Sequence, residues 1–173
     1  LARYEKTESA AEARRLLRSL PEAREEEEQQ RVSSAREKKQ LRENLERARG
    51  YVERADKRTD SLNRHFQAGK DEHLLRRAAY TYKKAYGLIQ RGARSLTDDE
   101  TLNQLLIQTA AAARGRLTKA YLELGRIYLQ RGSIHTAEEY CTLACSLEPA
   151  RKGLHGLHDR IVQARIAQRV GGD

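Results

Sequence analysis

The sequence has 173 residues, 34% of them charged, and a formal net charge of +9 at pH 7. This length suits one domain with an appendage, since a domain usually has about 100–200 residues. One Phe, no Trp and two Pro are too few strand formers and turn residues for a β-sandwich or a β-barrel. No window approaches about 18 consecutive apolar residues, so the sequence predicts no membrane span. The composition predicts an all-α protein.

The positive charge is concentrated in the second part of the chain. Residues 1–60 hold 16 Lys/Arg and 14 Asp/Glu, a balance of +2, which leaves a balance of +7 for residues 61–173. Surplus positive charge attracts nucleic acid, anionic lipid or acidic protein, and by itself it does not choose among them.

The ends and the cysteines give expectations about origin and location. The chain starts at Leu1 and contains no Met, so we expect a fragment or a processed form whose missing ends hold any targeting signal. Cys141 and Cys145 are too few for a disulfide framework, which favours a reduced, cytoplasmic location.

Helices are predicted throughout, from apolar spacing and from capping signals. Pro21 fits the first turn of a helix, and Thr97 with Glu100 has capping-box spacing. Gly115 is tolerated inside a helix, where it favours a bend. In chain order the predicted helices span 2–20, 22–67, 72–91, 98–131, 134–147 and 150–169.

The long helix 22–67 differs along its length. Residues 22–40 offer few apolar side chains, so that stretch either projects into solvent or meets a partner. From residue 41 the apolar spacing becomes 4-3-4-3, which predicts a stripe that packs on helices of the same chain, with an intermolecular coiled coil as the alternative. The stripe consists of Leu41, Leu45, Ala48, Val52, Ala55, Leu62 and Phe66.

Residues 118–151 carry small, aromatic and turn residues at fixed intervals: Tyr121, Leu124, Gly125, Tyr128, Gly132, Ala137, Ala144 and Pro149. At this spacing the segment resembles a tetratricopeptide repeat (TPR), a helix-turn-helix unit of about 34 residues. Cys141 departs from the pattern, because an aromatic residue is usual at its position. The resemblance implies that Gly125 and Ala137 let two helices approach closely.

A single repeat cannot bury its own apolar face, so neighbouring units are expected. Ala78, Tyr82 and Ala85 match the second helix of a degenerate earlier repeat, with Phe66 as its first-helix aromatic residue. The last helix resembles the capping helix of such arrays. The resemblance implies a right-handed superhelical stack in residues 60–173, preceded by a charged helical extension in residues 1–59.

Both first helices are longer than the repeat requires. Equivalent helices of adjacent repeats run side by side in the same direction. We therefore expect the extensions, about 30–55 and 98–115, to pack together as a stalk.

The resemblance implies a non-enzymatic scaffold that binds a peptide or helix of a partner protein, with acidic partners favoured by the basic residues. The groove residues that it implies are Lys119, Leu122, Glu123, Arg126, Leu129 and Gln130, with Lys57, Asp60, Ser61 and Arg64 in the degenerate repeat. No phosphate-binding loop or catalytic motif is recognisable, and no cofactor is expected. The pairs Cys141/Cys145 and His155/His158 are incomplete sets of ligands for zinc, so no metal site is predicted.

Two alternatives remain open at this stage. The first is a basic helical protein that binds RNA or DNA, although the tyrosines fall mostly at packing positions. The second is self-assembly through the 41–66 stripe or through an uncapped N-terminal repeat surface. The basic residues that the first alternative would use are Arg114, Arg116, Lys119, Arg126 and Arg131, with Arg76, Arg77, Lys83 and Lys84.

Overall fold

The fold is given by a computed structural model that describes residues 2–60, 68–92 and 97–170, with side chains for 24–60, 72–92 and 97–170. The helices are α1 (Ala2–Asp60), α2 (Ala68–Gly92), α3 (Glu100–Gln130), α4 (Ile134–Leu147) and α5 (Leu154–Val170). All regular structure in these ranges is helical, as predicted. None of the described helices is both long and apolar enough to cross a membrane. The chain divides into two compact units, Leu1–Leu41 and Arg42–Asp173.

The predicted break at Pro21 is wrong. The structure has one helix from Ala2 to Asp60 instead of separate helices over 2–20 and 22–67. An internal proline removes one backbone hydrogen bond. The helix-forming residues on both sides supply the remaining hydrogen bonds, so the helix continues. The predicted end of this helix, with Leu62, Arg64 and Phe66, lies outside the described residues.

The start of α3 also differs from the prediction. Asp99, and not Thr97, is the N-cap, and its carboxylate accepts a hydrogen bond from the backbone N–H of Leu102 at 3.0 Å. Thr97 instead accepts a hydrogen bond from the Asp99 backbone N–H and contacts the Asn103 side chain. A carboxylate at this position also interacts favourably with the positive end of the helix dipole.

The two later turns depend on glycines with positive φ. Gly132 (φ 76°) lies in the turn between α3 and α4, and Gly153 (φ 93°) lies just before α5. Only glycine adopts these backbone angles without strain. The start of α5 at Leu154, four residues later than predicted, follows from the turn that Gly153 makes. The predicted span of α4 is confirmed.

Within Leu1–Leu41, the described side chains up to residue 40 are mostly exposed. Val32 is 64% exposed, and Glu27 and Arg31 form an i,i+4 ion pair at 3.8 Å. An exposed pair of this kind adds only about 0.3–0.5 kcal/mol to stability.

Within Arg42–Asp173, apolar side chains from all helices form the core. The predicted stripe of α1 is buried from residue 45 to residue 55. Cys141 is buried as predicted, and burial raises the pKa of its thiol. The larger buried side chains are Leu45, Val52, Leu75, Tyr82, Ile89, Leu102, Leu106, Leu117, Leu124, Ile127, Leu154, Leu157 and Ile161.

The described part of α1 beyond residue 41 runs beside α3 in the same direction. Arg42 pairs with Asp99 at 3.0 Å, and Asp56 pairs with Arg116 at 2.9 Å. Because the residue numbers rise together in the two pairs, the two helices run parallel. The expected side-by-side packing of the two long helices is therefore confirmed between residues 42–56 and 99–116.

Candidate functional site

Helices α3 and α4 form an antiparallel pair with close backbone approach at Gly125. A Cβ atom at Gly125 would lie 3.4 Å from the carbonyl oxygen of Ala137 and 2.9 Å from Cδ2 of Leu157 in α5. Arg114 pairs with Glu148 at the opposite end of the two helices, at 3.7 Å. A side chain at residue 125 would therefore displace Leu157 of α5, whereas its Cβ atom alone would only touch the Ala137 carbonyl of α4.

Three tyrosines fill the space beside this approach. The ring of Tyr140 in α4 is stacked on Tyr128 with centroids 5.6 Å apart, and it lies 5.9 Å from the tilted ring of Tyr121. Offset or tilted pairs at this spacing contribute about 0.5–1.5 kcal/mol beyond the area they bury. Tyr140 thus supplies the α4 ring that contacts both tyrosines of α3, while Cys141 next to it is buried.

The predicted groove residues lie along the C-terminal half of α3, with unequal exposure. Lys119 and Gln130 are exposed, whereas Leu129 is half-buried. Leu122 is only 4% exposed because it faces the chain's own core, so it has little surface to offer a partner. Of the two leucines expected to contact a partner, Leu129 keeps the accessible surface.

The charged members of that groove are partly engaged within the chain. Glu123 and Arg126 form an ion pair at 2.6 Å, and a second guanidinium nitrogen of Arg126 approaches Gly153. Lys57 and Asp60 at the end of α1 are exposed. Ser61 and Arg64 lie outside the described residues. The arrangement provides a strip of mixed charge along α3 that continues to the start of α5.

The basic residues that sequence reasoning placed on α3 are mostly neutralised by carboxylates. Arg114 pairs with Glu148, and Arg116 pairs with Asp56. Arg126 and Arg131 pair with Glu123 and Glu72. A cation that already has a carboxylate partner must exchange it for a phosphate, which makes α3 a poor polyanion surface.

Asp56 joins three helices. It accepts a hydrogen bond from the Tyr82 hydroxyl of α2 at 2.6 Å and pairs with Arg116 of α3. Tyr82 is 2% exposed; burial, followed by the hydrogen bond to Asp56, raises the pKa of Tyr82 to about 12. Beside it, Arg58 donates a hydrogen bond to Thr81 at 3.1 Å.

Glu72 joins the start of α2 to the end of α3. Its carboxylate accepts hydrogen bonds from the Tyr128 hydroxyl and from Arg131, and it pairs with Arg76 at 3.0 Å. This cluster fixes one end of α2 against the aromatic stack of the α3–α4 pair.

A cleft with a volume of about 490 Å³ lies between α1 and α2, and we call it the basic cleft. No carboxylate is among the described residues that form its walls. They are Tyr51, Arg54 and Arg58 of α1 and His73, Arg76, Arg77, Tyr80, Thr81 and Lys84 of α2.

The cations of the basic cleft alternate with aromatic rings. The guanidinium carbon of Arg54 lies 4.8 Å from the centroid of the Tyr51 ring, and Nζ of Lys84 lies 4.7 Å from that of Tyr80. Tyr80 is 61% exposed. Such contacts contribute about 0.5–1 kcal/mol each at exposed sites and hold the long cationic side chains in place.

The sequence pattern indicated Arg76, Arg77 and Lys84 as basic residues of this surface. It did not indicate that α1 forms the other wall of the cleft, or that the rings of Tyr51 and Tyr80 lie in it. The available signal was helical spacing, since Tyr51, Arg54 and Arg58 lie on one face of α1. The prediction that the tyrosines fall mostly at packing positions agrees with the burial of Tyr82, Tyr121 and Tyr128, and Tyr80 is an exception because its position on α2 faces solvent.

A second cleft, of about 360 Å³, lies between α4 and α5 and contains the paired cysteines and histidines. Cys145, His155 and His158 are exposed there, and Cys141 is buried. Among the described residues, no three potential metal ligands come together.

In comparisons with known proteins, no family model, curated protein or solved structure matches this chain.

Proposed function

We propose that this protein is a TPR-like helical scaffold that acts without catalysis by binding a peptide or helix of a partner protein. The observation that carries the proposal is the α3–α4 pair. Two small residues, Gly125 and Ala137, face each other across this pair, and the rings of Tyr121 and Tyr128 lie between its helices against Tyr140. Helix α5 packs on the pair at Gly125, and we interpret it as a capping helix.

The partner surface that we propose is the strip on α3. Lys119 offers a positive group that forms no ion pair within the described residues, and Gln130 offers a polar group. Leu129 offers apolar surface, and Arg126 would have to exchange Glu123 for a carboxylate of the partner. An acidic peptide that carries one apolar side chain fits this composition, because each carboxylate gains a charge-assisted hydrogen bond. Leu122 is buried in the core, so it would support this surface only by stabilising the fold and would not contact the peptide.

The experiment is selection from a displayed library of random peptides on the full 173-residue chain, followed by titration of the enriched peptides. The test variant is Lys119→Glu/Arg126→Glu, and the control is Lys152→Glu/Arg160→Glu, which makes the same charge change at exposed residues. We expect enriched acidic peptides whose affinity falls about tenfold in the test variant, equivalent to about 1.4 kcal/mol. Peptides that bind both variants equally, or no enrichment at all, would contradict the proposal.

A further inference from the structure

Three cations of the basic cleft have no carboxylate partner among the described residues. Within these residues, no carboxylate lies within 4.0 Å of Arg54, Arg77 or Lys84, whereas Arg76 is paired with Glu72. A bound polyanion would neutralise these three positive charges.

The rings indicate which polyanion fits. Tyr80 is mostly exposed, and Tyr51 is half-buried on the opposite wall. A guanidinium that lies over a ring keeps its N–H donors in its own plane, where they remain able to bind phosphate oxygens. Phosphates beside cations and bases on aromatic rings are the two contacts of single-strand recognition.

The dimensions of the cleft agree with a short strand. Its α2 wall runs from His73 to Lys84, which at 1.5 Å per residue is about 16 Å. A strand whose bases stay stacked rises about 3.4 Å per nucleotide along its axis, so this length accommodates about five nucleotides. The cleft is open, so a strand can enter along its length.

We propose that the basic cleft binds single-stranded nucleic acid, with Arg54, Arg77 and Lys84 on phosphates and Tyr51 and Tyr80 stacked on bases. An acidic protein segment would use the cations, but its carboxylates would gain nothing from the exposed rings. Tyr80 is therefore the residue that separates the two classes of partner. The proposal uses α1 and α2 and does not depend on the α3 strip.

The test is fluorescence anisotropy of the full chain with labelled oligouridine and oligothymidine of about 12 nucleotides, within the usual range of site sizes. If three phosphates are contacted, affinity should fall about 20-fold between 50 and 200 mM salt. If both oligonucleotides bind, the cleft recognises features that RNA and DNA share. If only oligouridine binds, the ligand is RNA.

Two variants separate charge from stacking. Arg54→Glu/Arg77→Glu should lower affinity at least tenfold and flatten the salt dependence, since it removes phosphate contacts. Tyr80→Ala should lower affinity about tenfold and leave the salt dependence unchanged, and Tyr80→Phe should restore it, since stacking needs only the ring. The matched control is Lys152→Glu/Arg160→Glu, which should retain wild-type affinity. All of the substituted side chains are exposed, and all except Tyr80 are charged. Circular dichroism and thermal melting verify that each variant is folded.

Three results would overturn the proposal. The first is the absence of saturable binding at 50 mM salt. The second is an equal loss in the control and cleft variants, which would show diffuse attraction to a basic protein. The third is polyglutamate of equal charge binding as tightly as the oligonucleotides while Tyr80→Ala has no effect, which would assign the cleft to an acidic protein segment.

Discussion

The helix pairs α1–α2 and α3–α4 are held together in different ways. Between α3 and α4, a glycine and an alanine allow close approach, and three tyrosine rings fill the remaining space. Between α1 and α2, the Asp56–Tyr82 and Arg58–Thr81 hydrogen bonds hold the helices together, and the basic cleft opens beside them. Rings and small residues fill the space between α3 and α4, whereas the hydrogen bonds between α1 and α2 lie beside an open cleft.

The largest expected effect comes from filling the close approach in the α3–α4 pair. Gly125→Leu should lower the free energy of unfolding by about 3 kcal/mol, because even a Cβ atom meets Leu157 and the Ala137 carbonyl. The control is Gly87→Leu in α2, where a Cβ atom meets nothing within 4 Å, so a gain of about 0.5–1 kcal/mol from helix propensity is expected. Urea unfolding measures both, and equal effects would show that the fold has room for a side chain at residue 125.

The next effect concerns pH and the α1–α2 pair. The pKa of Tyr82 is raised in the folded state to about 12 from an unfolded value of 10.0, so the folded protein holds the proton more tightly. The resulting stability is present below pH 10 and is lost as the pH rises from 10 to 12, by about 2–3 kcal/mol.

Urea unfolding of the wild type and of Tyr82→Phe between pH 8 and pH 11.5 checks this. The Phe variant lacks the ionisable hydroxyl, so its stability should fall less steeply over this range. Burial also raises the pKa of Tyr121 in the other pair, without a carboxylate partner, so Tyr121→Phe should change the slope in the same direction. Parallel curves for the wild type and Tyr82→Phe would contradict a raised pKa at Tyr82.

The smallest effect tests whether Asp56 couples α1 to α3. A double-mutant cycle of Asp56→Asn and Arg116→Ala should give a coupling energy of about 0.5–1 kcal/mol, since the pair is partly exposed. The same cycle on Glu27 and Arg31, which form an exposed pair within one helix, should give a smaller value of about 0.3–0.5 kcal/mol. A coupling of zero at Asp56 would mean that apolar burial alone holds the two helices together.

The sequence by itself determined the helical class, the bounds of α4 and most of the buried positions. Apolar spacing at helical intervals needs no knowledge of neighbours, which is why Leu45, Val52 and Leu117 were placed correctly in the core. The prediction of a turn at Gly132 was also correct, since its positive φ favours glycine, and at Gly125 a Cβ atom would already meet Leu157.

Other features depended on contacts between distant residues, which a sequence pattern does not contain. The neutralisation of Arg114 and Arg116 depended on carboxylates 34 and 60 residues away along the chain. The basic cleft exists because tertiary packing places the Tyr51–Arg58 face of α1 opposite the His73–Lys84 face of α2. Charge and ring positions are visible in the sequence, but only the folded chain decides which of them face one another and which are already paired.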